Sequence, residues 1–93
     1  MEPHTQIRIR AIFHGRVQGV FFRATAEQLS HGFNVCGFVR NRPDGTVELE
    51  AQGPKGEVEE FIASIHERYG AGIERVDRNS IELLDDQGFV IRR

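Results

Sequence analysis

The chain has 93 residues, 39% of them hydrophobic and seven of them Phe, and carries a net charge of −2. That size holds one domain, residues 1–93, with an ordinary apolar core that needs no disulfide or metal staple. Cys36 is the one cysteine, which excludes an intrachain disulfide and a cysteine-based metal cluster, and the near-neutral charge argues against a nucleic-acid partner held by bulk electrostatics.

The opening MEPHTQIRIR has no apolar run of the signal-peptide kind, and no stretch approaches the ~20 apolar residues of a membrane span. The expectation is a reduced, cytoplasmic, monomeric protein with no membrane partner. Arg8, Arg10, Arg16 and Arg23 stand between Pro3 and Ala26 with no acid among them, while 57–67 carries Glu57, Glu59, Glu60 and Glu67. This asymmetry fits an anionic ligand at the basic end, and equally two solvated faces of opposite sign.

Along the chain, Ile7, Ile9, Ala11 and Phe13 alternate with Arg8 and Arg10, the period of a strand. A loop over 14–20 follows. Phe22, Ala26, Leu29 and Phe33 then fall on one face of a helix ending near Gly32. Residues 35–40 read as a second strand, NRPDG at 41–45 as a turn, and 46–52 as the strand that closes the hairpin. Gly53-Pro54 breaks this run. Val58, Phe61, Ile62, Ile65 and Tyr69 form a second helical face, its first turn loaded with glutamates, and Gly70 and Gly72 stop it. Residues 75–84 read as a fourth strand and 88–92 as a short fifth. The order βαββαβ plus a short strand is that of an α+β, ferredoxin-like sandwich, with both helices on one face of a mixed, mainly antiparallel sheet.

In that topology the first two strands run the same way, joined by the first helix, so their carboxyl ends share a rim. Arg23 stands just past the end of strand one and Asn41 at the end of strand two, so the two converge. The segment between strand one and the helix, GRVQGVFFR at 15–23, has glycines at 15 and 19. A glycine-punctuated turn entering a helix N-terminus aims backbone N–H groups at an anion, and an arginine adds a fork for phosphate oxygens. The segment lacks the Lys-Ser/Thr of a P-loop and the G-x-G-x-x-G of a dinucleotide site, and no carboxylate pair is placed to hold magnesium.

GRVQGVFFR, followed by GFVRNRPDGTVE at 37–48 and GP at 53–54, resembles acylphosphatase, with matching spacing from Ile7 to Arg93. The resemblance implies a ferredoxin-like fold and hydrolysis of a small-molecule acyl phosphate to a carboxylate and inorganic phosphate, with no metal and no cofactor. It also implies that Arg23 binds the phosphate, that Asn41 orients the attacking water, and that Gly15, Arg16, Val17, Gln18, Gly19 and Val20 form the backbone cradle. Three positions depart from the family's common pattern. Phe21 stands where a small residue is frequent, and facing the site it would narrow the pocket. Phe38 replaces a common tryptophan, and 69–75 lacks a proline often found after the second helix.

Other readings compete. The scaffold suits a non-catalytic phosphate or acyl-phosphate binding module, though such a module has no need of a water-orienting amide. A sheet face that binds RNA would need exposed aromatics, where strand three offers Glu48 and Glu50. The carbamoyl-phosphate-handling domain of hydrogenase maturation proteins shares the loop. Cys36 reads as a small buried strand residue and His14 as a loop residue beside the cradle, while His4, His31 and His66 are too scattered to ligate a metal.

Overall fold

A computed structural model describes residues 5–92; His4 and Arg93 lie outside the described residues. Seven elements follow in order: β1 (Gln6–Gly15), α1 (Phe22–Ser30), β2 (Cys36–Asn41), β3 (Val47–Pro54), α2 (Lys55–Tyr69), β4 (Ile73–Ile81) and β5 (Phe89–Arg92). The sheet order is β4-β1-β3-β2-β5. β1 pairs antiparallel with β3 and β4, β2 pairs antiparallel with β3, and β5 lies parallel to β2. β1 and β2 therefore run the same way on either side of β3, and their carboxyl ends meet at one rim.

Alternation along each strand sends Ile9, Ala11, Phe13, Val39, Val47, Leu49 and Ala51 to the helical face, where all are buried. α2 covers them with Val58, Phe61, Ile62 and Ile65, the positions its period picks out, and α1 adds Phe22 and Ala26. Each such large side chain taken from water contributes about 1.5–3 kcal/mol. Aromatic contacts knit the layers: Phe13 to Phe22 at 5.1 Å between centroids, and Phe61 to Phe89 at 5.2 Å.

The other face is an ion-pair lattice. Glu48 receives Arg10 at 2.8 Å and Arg40 at 2.6 Å, which bridges three strands. Burial alone would raise the Glu48 carboxyl, but these two arginines hold it below its ordinary value. Arg8 contacts Glu50 and Asp86, each at 2.8 Å, and donates to Gln52 at 3.0 Å. Asp86 belongs to a strap over 82–88 that crosses this face from β4 to β5, pinned also by Gln52 to the Leu84 amide and carbonyl. Arg92 lies over the Phe38 ring at 4.1 Å, so the phenylalanine keeps an aromatic role at that position.

Several expectations change. The fourth strand ends at Ile81 rather than 84, because the chain leaves the sheet edge to form the strap, with Leu83 and Leu84 exposed on it. β3 runs through Gly53 to Pro54, as Gly53 still pairs with Ile7, and α2 starts at the next residue. α1 stops at Ser30, and Phe33 reaches the core from the following turn. His14 is in β1, not a loop, and Cys36 is half-buried on the strap side, where burial raises its thiol. The four arginines of the basic end do not converge: alternation turns Arg8 and Arg10 onto the ion-pair face.

Candidate active site

The rim shared by β1 and β2 is built from the loop outward. Gly15 ends β1 at φ 122°, after a register shift in the pairing with β4. A Cβ there would meet the Gly72 carbonyl and the Glu74 amide, so only glycine allows this approach. The Arg16 amide donates to the Gly72 carbonyl at 2.8 Å, and the buried Val17 side chain roots the loop in the core. At Gly19, φ is 75° and nothing stands within 4 Å of where a Cβ would be; glycine is needed for the conformation, not for space.

Two side chains hold this loop against its surroundings. Gln18 Nε2 donates to the Arg42 and Thr46 carbonyls, each at 2.8 Å. Those residues flank the turn after Asn41, which Asp44 closes by accepting from the Thr46 hydroxyl at 2.6 Å and the Thr46 amide at 3.0 Å. These bonds to Thr46 hold the Asp44 carboxyl below its usual range. The Tyr69 hydroxyl donates to the Val20 carbonyl at 3.1 Å and hydrogen-bonds with the Thr25 hydroxyl at 2.9 Å. Loop, helix start and hairpin turn are thus cross-linked around one point.

At that point α1 begins. Its N-cap, Phe21, has φ 63° and ψ 23°, makes no side-chain cap, and no acidic residue occupies the first turn. The Thr25 amide bonds the Phe21 carbonyl at 2.9 Å, so the amides before it are first-turn donors without an intrahelical acceptor. The positive end of the helix dipole adds to them. A cleft of about 580 Å3 opens here, lined by Val17 and Gly19 of the loop, residues 21–24 of the helix start, Asn41 at the end of β2 and Ile91 of β5.

Arg23 and Asn41, remote in sequence, line the same cleft. Among the described residues Arg23 has no carboxylate partner. Among the described residues no carboxylate, histidine or cysteine lines the cleft, and no cluster of such residues suited to a metal occurs. Gly15, Arg16, Gln18 and Val20 are not among the residues that line it. Arg16 is exposed, while Gln18 and Val20 are tied to neighbours. His14 faces the other side, bonded to Asp77 at 2.9 Å. That bond is the main reason the Asp77 carboxyl is lowered.

Sequence reasoning did not find the Gln18 clamp, the Tyr69 hydroxyl or Ile91. The first two depend on side-chain reach across the fold. Ile91 follows from the parallel pairing of β5 beside β2, which a run of four residues does not announce.

The family model for acylphosphatase matches residues 9–91, nearly the whole chain. The chain belongs to the acylphosphatase family. It is 41% identical over 95 residues to an acylphosphatase of Salinibacter ruber, covering 100% of both chains. Among solved structures it is similar to an acylphosphatase from Bacillus subtilis, with a TM-score of 0.83 and 28% identity over 94% of this chain and 99% of that one. The same fold recurs in full-length HypF, with a TM-score of 0.80 and 20% identity, where the match spans 96% of this chain but 12% of the other.

Proposed function

We propose that the rim cleft is where this acylphosphatase hydrolyses acyl phosphates to a carboxylate and inorganic phosphate, with the 15–20 loop and Arg23 holding the phosphoryl group and Asn41 orienting the water. The observation that carries the reading is the meeting, in one cleft, of a helix start without a side-chain cap, a guanidinium with no carboxylate partner among the described residues and the Asn41 amide. A permanently charged fork left unpaired in a fold that pairs Arg8, Arg10 and Arg40 is suited to an external anion.

The chemistry asks little else of the protein. The carboxylate leaving group departs without a proton, so no general acid is required, and phosphoryl transfer is governed by positioning and by stabilising charge on the equatorial oxygens. Loop amides and Arg23 supply that charge. Asn41 fixes a water in line with the bond to the acyl oxygen. The water oxygen bonds to phosphorus as the bond to the acyl oxygen breaks, and the water's proton passes to a phosphate oxygen of the substrate, since an amide is no base.

This reading covers residues 1–93 as one domain, a cytoplasmic monomer working without metal, cofactor or nucleic-acid partner. Supporting the last point, the sheet face opposite the helices is filled by paired charges and crossed by the strap. No helix among the described residues is long and apolar enough to cross a membrane.

The test is hydrolysis of benzoyl phosphate in EDTA by wild type, Arg23→Ala and Asn41→Ala. Arg23→Ala should lose about 10³-fold or more in kcat/KM and phosphate inhibition with it. Asn41→Ala should lose about 10²- to 10³-fold in kcat while inorganic phosphate still inhibits. Near-normal kcat in Asn41→Ala would remove its water-orienting role. Phosphate binding without turnover in the wild type would make the domain a sensor.

A further inference from the structure

We propose that Phe21 is the acyl-recognition platform of the cleft, biasing the enzyme toward acyl phosphates whose acyl group is apolar and above all aromatic. This rests on the proposal that the phosphoryl group sits at the start of α1.

Phe21 is the one non-glycine residue with positive φ among the described residues, and it is 82% exposed. Both features oppose folding. A bulky side chain in the left-handed region is strained, and a phenyl ring this exposed recovers little of that strain by burial. Glycine at this position would remove the strain and the exposed ring together. The loop's entry into α1 sets this backbone conformation, but it does not call for a phenyl ring, so the ring serves something outside the fold, as strained residues at sites do.

Position says what. Phe21 lines the cleft together with Val17, Ala24 and the 43%-exposed Ile91, so much of the lining is apolar. The cleft, at about 580 Å3, has more room than a phosphate fills and matches the ~300–1,000 Å3 of small-molecule sites. An acyl group is joined to phosphorus through a single bridging oxygen. With the phosphoryl group on the helix start, the acyl carbon lies within a few bonds of it, in the same cleft that Phe21 lines. Among the described residues Arg23 is the only charged side chain in the lining, and the proposal engages it with the phosphoryl group, so the described lining offers an anionic acyl group no second cation. A flat apolar acyl group meets a phenyl face.

The experiment compares kcat/KM for benzoyl and acetyl phosphate in wild type, Phe21→Gly and Phe21→Tyr, with inhibition by inorganic phosphate measured alongside. Taking the ratio between variants cancels the different intrinsic reactivity of the two substrates. Phe21→Gly should lower the benzoyl-to-acetyl ratio roughly three- to tenfold, through KM for benzoyl phosphate, with phosphate inhibition kept and no loss of Tm. Phe21→Tyr, which keeps the ring, should hold the ratio within about twofold of wild type. An unchanged ratio in Phe21→Gly would overturn the proposal. So would lost phosphate inhibition in that variant, which would place the ring's effect on the loop. Turnover that survives Arg23→Ala is a separate failure: it would remove the phosphoryl site itself, and the platform with it.

Discussion

Arg8 and Arg23 belong to one basic stretch, yet the fold treats them oppositely. Arg8 is 1% exposed, and the charges and hydrogen bonds of Asp86 and Glu50 outweigh the lowering effect of burial and raise its pKa. Arg23 is half-buried at the far rim, with no carboxylate partner among the described residues. On the strap side, charges are neutralised by chain neighbours and serve the structure. At the cleft Arg23 and the first-turn amides have no such partner among the described residues, which is what the proposed anion site requires. A cluster of positive charge in a sequence becomes a binding site only where the fold withholds the counter-charge.

The contrast can be broken first at Arg8. Arg8→Ala leaves Glu50 and Asp86 without their cation and unpins the strap, which should cost about 3 kcal/mol in urea unfolding. The proposed phosphoryl site lies at the opposite end of β1 and should keep its affinity for phosphate.

The cleft side is sharpened by Gln18→Ala. Losing both bonds to the hairpin turn frees Asn41 relative to the loop, so kcat should fall about tenfold, while KM and phosphate inhibition change less, since Arg23 is untouched. Gln18→Glu, of nearly the same size but with oxygens facing two carbonyls, should not rescue it. Equal loss in kcat and phosphate affinity would mean that the clamp shapes the cradle rather than aligning Asn41 with it.

How much of this is legible in the residues depends on the range of the interaction. Strand and helix faces follow from local period, so β1, α2 and the hairpin are readable, and the meeting of Arg23 with Asn41 follows from topology alone. The end of β4 is not, because Leu83 and Leu84 continue an apolar pattern on a segment that Arg8–Asp86 and Gln52–Leu84 draw off the sheet. Phe21 reads as half of an aromatic pair. Its positive φ comes from how the loop must enter α1, a constraint no local pattern carries.

The smallest effect concerns Glu48, whose folded pKa is lowered from 4.5. A carboxylate with a depressed folded pKa contributes stability that is full above its unfolded value and lost as pH falls through the folded one. Glu48→Gln should therefore cost about 1 kcal/mol at neutral pH, modest because Arg10 and Arg40 are part-exposed. The gap to wild type in a Tm-versus-pH series should narrow as pH falls below 4.5 and through the lowered folded pKa. A gap independent of pH would assign the loss to packing.

The most direct test is thermal unfolding of wild type, Arg23→Ala and Arg8→Ala with and without saturating inorganic phosphate, which stabilises whatever it binds. Arg23→Ala should unfold near the wild-type temperature and lose the phosphate-induced rise in Tm. Arg8→Ala should unfold more than about 10 °C lower and keep that rise. The reverse pattern, or a phosphate-induced rise that survives in Arg23→Ala, would contradict the division of the molecule into a paired, structural face and an unpaired, functional rim.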